Sequence, residues 1–486
     1  EPETFEEIRR RVDEGRWEIA GGWWVEPDCN IPHGEAFVRH ALYGQRFFER
    51  EFGRKAETGF NPDSFGHAGT LPQILARSGI RYYCYMRPSP GAEYEYPGGT
   101  ATTFRWRSAD GSDVLASVIP VSYGCWDNIR GKVKQVCEWP HLPEGQKHVM
   151  CFFGVGNHGG GPTKKAIADI MALRGENGAP EMVFSTLGEY FRAVEEVGNL
   201  PAIAGELQHH ARGCYSAHSE VKRLNRQCEH ALMAAERLAC AVHVAFGTPY
   251  PREALEAAWK KVLFNQFHDI IAGTSVPEAY EDARDAFGAA RHVAKEAANA
   301  SITEIARRMD TQGPGNAIVV VNALPWAVKA AVTVTPRTWK RVPHPLRVLD
   351  ASGKAVPTQP VMYGHVGHEA GLFEAEVPAL GARVYRAVSA GDAPACELSG
   401  SLEVGEWFIE NDYWRVEMDA RTGAITRLFD RKRGMEMLRK GGLLSVIDDD
   451  SDTWSHGVTG YKWSGGRFGK ARVEVFEKGE VRATPV

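Results

Sequence analysis

The chain has little that would point to secretion, a membrane or nucleic acid. Its nine cysteines are odd in number and scattered, with no Cys-x-x-Cys pair, which argues against a disulfide framework and a thiolate zinc site and for reduced thiols. No run of about 18 apolar residues is present, so no membrane-spanning helix is expected. The opening residues, Glu1-Pro2-Glu3-Thr4-Phe5, have none of the regions of a signal peptide. Long blocks of one charge are missing too: Lys and Arg number 57 against 62 Asp and Glu, a net charge of -5. Neither a nucleic acid nor a membrane surface is therefore an expected partner, and the expected location is cytoplasmic. Internal repeats and low-complexity stretches are also lacking.

What is present is an ordinary globular composition, 43% hydrophobic and 24% charged, in 486 residues, too many for one core. Up to about residue 203, strand-like runs (17–20, 56–60, 82–85, 114–119, 148–153) alternate with helix-like stretches (3–14, 34–52, 70–78, 163–175, 186–197). That alternation predicts a mainly parallel, helix-covered sheet, β/α-barrel-like, with functional loops at its strand ends. From 204 to 310 the three- and four-residue apolar spacing predicts a helical bundle. The linker Thr311-Gln312-Gly313-Pro314-Gly315-Asn316 introduces short alternating strands to residue 486, the pattern of an antiparallel β-sandwich. The chain opens in an amphipathic helix without a lead-in and stops within the β pattern, so it is expected to be part of a longer protein.

Three stretches carry candidate chemistry. Asn61-Pro62-Asp63-Ser64-Phe65-Gly66-His67 follows a predicted strand, so Asp63 either reaches a strand-end cleft or caps the next helix. Phe264-Asn265-Gln266-Phe267-His268-Asp269 ends a predicted helix in an imidazole beside a carboxylate. Such a pair suits a metal ion and a polyol together, or a helix terminus with a cap. Phe153-Gly154-Val155-Gly156-Asn157-His158-Gly159-Gly160-Gly161-Pro162-Thr163 is a glycine-rich strand-to-helix loop without the spacing of a nucleotide loop. It either places Asn157 or His158 over a substrate or is a tight turn. Glu26 and Asp28, just after Trp23-Trp24, also stand at a predicted strand end.

In order along the chain, these three stretches resemble the α-mannosidases of glycoside hydrolase family 38. Trp24-Val25-Glu26-Pro27-Asp28-Cys29-Asn30, Val321-Asn322-Ala323-Leu324-Pro325-Trp326 and Asp450-Ser451-Asp452-Thr453-Trp454-Ser455 are similar to further family stretches. The resemblance implies a retaining α-mannosidase acting on a mannose-containing oligosaccharide with one divalent metal, usually zinc. It implies that Asp63 is both nucleophile and metal ligand and that His268 is a second ligand. Asp269 would bind mannose hydroxyls, with Phe65 and Arg87 lining the first sugar subsite and Asp28 and Asn157 beside the substrate.

Two departures stand out. The family's other two metal ligands come from a His-x-Asp motif on a first strand, which does not occur before Asp63. On these residues alone the α/β region is expected to lack that strand and half its ligands, and metal retention is in question. At the glycine loop, Asn157 stands where many relatives carry the Asp that serves as acid/base. Asn is not an acid at neutral pH, so His158 is assigned the role, with Asp127 and Asp28 as alternatives. The rival readings are a catalytically incompetent carbohydrate-binding protein and a metal-dependent polysaccharide deacetylase. Oligomeric state stays open, a homo-oligomer included.

Overall fold

The structure is a computed structural model describing residues 2–89, 101–126, 128–156, 159–208, 210–334, 346–363, 368–394, 396, 401–439, 441–442, 444–449, 451–458, 460, 463–467 and 469–485. The chain divides into two compact units. One comprises Glu1–Leu232, Glu253–Val293 and Ser451–Thr459; the other comprises Met233–Arg252, Ala294–Asp450 and Gly460–Val486. Residues 204–310 contribute to both units.

The first unit is built on a five-stranded sheet. Its strands are β1 (Thr58–Asn61), β2 (Tyr82–Tyr85), β3 (Thr103–Arg107), β4 (Asp113–Val118) and β5 (Ala202–Ala204), in the order β1-β2-β4-β3-β5. β1–β2, β2–β4 and β3–β5 pair in parallel, whereas β3 and β4 form an antiparallel hairpin, so the sheet is mixed. All four residues of β2 are buried because both faces of the sheet are covered. Tyr83, Tyr85 and Trp106 pack on one face with Phe37 and Ala41 of α2 (Gly34–Phe52) and Leu71 and Leu75 of α3 (Leu71–Arg77). Tyr82 and Cys84 pack on the other with Tyr190, Phe191 and Val194 of α6 (Leu187–Glu195). The remaining helices of the α/β part are α1 (Pro2–Asp13), α4 (Ile129–Cys137) and α5 (Lys164–Leu173).

Residues 17–20 and 148–153, predicted as strands, join no ladder. Gly21 makes a single parallel bridge to Gly59, and Gly154 a single antiparallel bridge to Cys125. Positive φ angles at Gly21 (96°) and Gly22 (74°), and at Gly154 (124°) and Gly156 (80°), end the extended conformation at both places. The Glu18 carboxylate instead accepts the backbone N–H groups of Leu187 and Gly188 at the start of α6.

The long helices are α7 (Ser219–Phe246), α8 (Arg252–Phe264) and α10 (Pro277–Ala306), with one short helix, α9 (His268–Ala272), between α8 and α10. Among the described residues no helix is long and apolar enough to cross a membrane.

In the second unit, β6 (Asn316–Val321), β8 (Leu346–Leu349), β9 (Ala355–Val356) and β12 (Ala382–Ser389) form one antiparallel sheet. β7 (Val328–Val334), β10 (Thr358–Tyr363) and β11 (His368–Val377) form another. Val348 and Tyr385 from the first sheet share a core with Phe373, Ala375 and Val377 from the second, which is the sandwich the alternating pattern predicts. Further antiparallel strands follow from residue 403.

Candidate active site

The site lies where the parallel strands of the first unit end. β1 stops at Asn61 and the chain turns through Pro62 to Asp63; β2 stops at Tyr85 and leads to Arg87; the chain after β4 carries Tyr123. This is the edge at which open α/β sheets bind ligands. The residue directly before α3 is Thr70, so Asp63 is not the cap of that helix.

His268 arrives by another route. After α8, Phe267 makes an antiparallel bridge to Pro27, Asp28 N–H donates to Gln266 O (3.0 Å), and His268 N–H donates to Glu26 O (3.2 Å). Residues 26–28 and 266–268 therefore run side by side and deliver Glu26 with His268. Gly44 of α2 lets the neighbouring backbone come close, because a Cβ there would lie 2.6 Å from Trp23 C. Below this pair the Gln266 amide is fully buried. Its Nε2 donates to Asn225 Oδ1 (2.8 Å) and Glu229 Oε1 (3.0 Å), and its Oε1 meets His40 Nε2 (3.0 Å).

Glu26, Asp63 and His268 each offer a ligand atom, and these atoms lie within 4.8 Å of one another. Glu26 Oε1 accepts the Asp63 N–H at 2.7 Å. Burial pushes the Glu26 carboxyl up to about 7, with His268 opposing the shift. Arg87 donates to Asp63 Oδ1 and, at 3.5 Å, to Pro62 O. Asp269 Oδ1 accepts from Thr274 Oγ1 (2.7 Å), and its Oδ2 lies 3.7 Å from His268 Nε2. Phe65 sets its ring edge-on to His268 (6.0 Å) and stacks on His210 (6.2 Å). Burial, then the Arg87 charge, lowers His210 to about 4. Tyr123 is raised, first by burial and then by Asp63.

These groups line one cavity of about 560 Å³, together with Phe267, Gly156, Trp454 and His456. The structure thus brings together Asp63, Phe65, Arg87, His268 and Asp269. Asp28 does not line the cavity: it is fully buried, with Oδ1 accepting the N–H groups of Asn30 (2.9 Å) and Ile31 (2.7 Å) in a turn. Asn157, His158 and Asp127 lie outside the described residues. No metal role for Glu26 follows from the sequence, because its approach to His268 depends on pairing between distant segments; its place after Trp23-Trp24 is the available signal. Trp454 and His456 reach the cavity from a segment far along the chain and are not among the residues expected there.

Residues 1–208 match the pattern of the glycosyl hydrolases family 38 N-terminal domain, and residues 208–305 that of the alpha mannosidase middle domain. Alpha-mannosidase G of Dictyostelium discoideum is 36% identical over 284 residues, which is 58% of this chain and 26% of that protein. Human alpha-mannosidase 2C1 is 32% identical over 332 residues, 67% of this chain and 31% of that protein. The chain thus spans about a quarter to a third of the length of these relatives. Among solved structures, an alpha-mannosidase from Enterococcus faecalis V583 shares the fold, with a TM-score of 0.75 at 20% identity over 100% of this chain and 60% of its own.

Proposed function

The chain belongs to glycosyl hydrolase family 38, and on that premise we propose that it is the catalytic part of a metal-dependent retaining α-mannosidase acting on mannose-containing oligosaccharides. The observation that carries the reading is the convergence of Glu26, Asp63, Arg87, His268 and Asp269 on one strand-end cavity.

Two carboxylates and an imidazole within 4.8 Å make a donor set suited to a divalent cation such as zinc, and Glu26, Asp63 and His268 would hold it. When bound, the cation supplies Lewis-acid stabilisation and orientation of sugar hydroxyls.

The remaining steps belong to the protein. Asp63 attacks the anomeric carbon as the bond from that carbon to the leaving-group oxygen breaks, giving a glycosyl-enzyme; water then displaces the Asp63 carboxylate from the same carbon with net retention. The Arg87 guanidinium and the backbone contact to Glu26 fix the attacking carboxylate, so little orientation entropy is lost in the transition state. Asp269 accepts hydrogen bonds from sugar hydroxyls while Thr274 holds its other edge. Phe65 supplies an apolar wall. The proton for the leaving group is assigned to His158 on the sequence alone. The nine free thiols support a reducing, cytoplasmic setting.

The test is hydrolysis of aryl α-mannosides and of 1,2-, 1,3- and 1,6-linked mannobioses by the full-length protein, with the product anomer followed by NMR. Retention is expected, and Asp63→Asn should lower kcat by about 10³-fold or more, the scale for loss of a covalent nucleophile. Release of acetate from acetylated sugars with aryl mannosides left intact would replace this reading by a deacetylase.

A further inference from the structure

The first unit contains one segment drawn from far along the chain, Ser451–Thr459. Trp454 packs in a small core with Phe65, Cys214 and Ala272, and so stands beside the wall of the cavity. The His456 ring lies over Trp454 with centroids 5.8 Å apart and planes 27° from parallel. His456 Nδ1 bonds Asp452 Oδ2 at 2.6 Å, while Asp452 Oδ1 accepts the N–H groups of Trp454 (3.1 Å) and His456 (3.2 Å).

Two constrained positions hold this turn in place. Ser455 is buried at a φ of 61°, a conformation few non-glycine residues adopt. Gly213 lies against it so closely that a Cβ would come within 2.5 Å of Ser455 Oγ and of Thr453 O. A turn this costly, ending in an oriented imidazole on an indole at a cavity wall, has the character of a binding element rather than a connection.

We propose that Asp452, Trp454 and His456 form a second sugar subsite, on the leaving-group side of the scissile bond. The inference rests on the mannosidase reading and adds where the next sugar sits. The Trp454 indole, packed with Phe65 and lying under the His456 ring, holds that imidazole at the cavity wall. Asp452 engages Nδ1 and leaves His456 Nε2 for a hydroxyl, which can either donate or accept. The exposure of the groups gives the direction. The His268 side chain is only 6% exposed and that of Glu26 20%, whereas those of His456 and Asp452 are 69% and 45% exposed. A retaining nucleophile attacks from the side opposite the bond it breaks, so with Asp63 beside the buried groups the leaving sugar projects toward the exposed rim.

The experiment compares mannotriose with α-mannosyl fluoride, whose single-atom leaving group is too small to fill the subsite. In the full-length protein, His456→Ala and Asp452→Asn should each lower the ratio of kcat/KM for mannotriose to that for the fluoride about tenfold, mainly through KM. His456→Gln, which keeps a donor and an acceptor, should restore part of it. Calorimetry on protein carrying Asp63→Asn should show mannotriose binding more tightly than mannose, and His456→Ala should remove that preference. An unchanged ratio together with an unchanged binding preference would overturn the subsite. If the wild-type protein hydrolyses neither compound, the mannosidase reading falls, and the calorimetric comparison still decides whether this turn binds a second sugar.

Discussion

Two buried histidines under the site make stability fall on mild acidification by an amount that the structure sets. His67 Nε2 lies 2.7 Å from Arg87 O, an acceptor only, so Nε2 carries the proton and Nδ1 accepts from Tyr83 O–H at 2.8 Å. The Gln266 amide nitrogen is already committed to Asn225 and Glu229, so its oxygen faces His40 Nε2, which donates. Among the described residues, His40 Nδ1 is buried with no hydrogen-bond partner. A second proton on either ring would add a buried charge, and burial lowers both from 6.5 to about 3.

The unfolded chain takes up these protons near pH 6.5, whereas the folded chain resists until about pH 3, so the stability they represent is lost as pH falls between those values. From pH 7.5 to 5.0 the loss is about 2 kcal/mol for each histidine, from the 1.36 kcal/mol per pKa unit of linkage. Glu26, raised by burial to about 7, works in the opposite sense over much of this range, since the folded chain there binds the proton more readily than the unfolded one. The wild-type profile is thus a sum, and the histidine part is a difference between variants. His67→Gln and His40→Gln should each flatten the stability change between pH 7.5 and 5.0 by about 2 kcal/mol. Hydrogen exchange of the β2 amides during urea unfolding reads this out for the unit that holds both residues. A variant with the same pH dependence as wild type would refute the neutral buried state of that ring.

Glu26→Gln keeps an acceptor for the Asp63 N–H but removes an anionic donor. Zinc affinity, measured by competition with a chromophoric chelator, should fall about tenfold or more, and an unchanged affinity would exclude Glu26 as a ligand. Gln266→Leu leaves the groups of His40, Asn225 and Glu229 buried without their shared partner. The cost should be about 2–4 kcal/mol in thermal unfolding, and a loss below about 0.5 kcal/mol would show that the network relaxes freely.

What was legible in the sequence had a local signature. β1, β2 and β4 appeared as apolar runs, and the long helices as periodic ones, because burial on one or two faces writes itself into neighbouring residues. The place of Asp63 and His268 on the cavity has a related origin: Asp63 follows the end of β1, and His268 stands at the start of α9. Residues 17–20 and 148–153 have the composition of strands, but left-handed glycines just beyond them prevent a ladder. β3, with Arg105 and Arg107 among its side chains, is not among the predicted strands and is defined by its antiparallel pairing with β4.

Glu26 has a strand-end signal but none for its partner, and His456 has neither; Glu26 is set by contacts remote in sequence, and the turn that carries His456 lies against the distant Gly213. Glu26 is set by the run of 26–28 along 266–268, and that run rests on an amide whose partners come from α2 and α7. Displacing it would unpair several buried groups at once, so the buried end of the cavity tolerates little change. The Asp452–Trp454–His456 turn keeps its hydrogen-bonding side chains exposed, and Asp452 and His456 bond chiefly within the turn. Replacing those two polar groups breaks no buried network and costs the fold little. The physical consequence is a division of labour. On the proposed mannosidase reading, chemistry is fixed at the buried end by groups that cannot move separately, and the proposed subsite at the rim is built from groups that can be altered without disturbing Asp63.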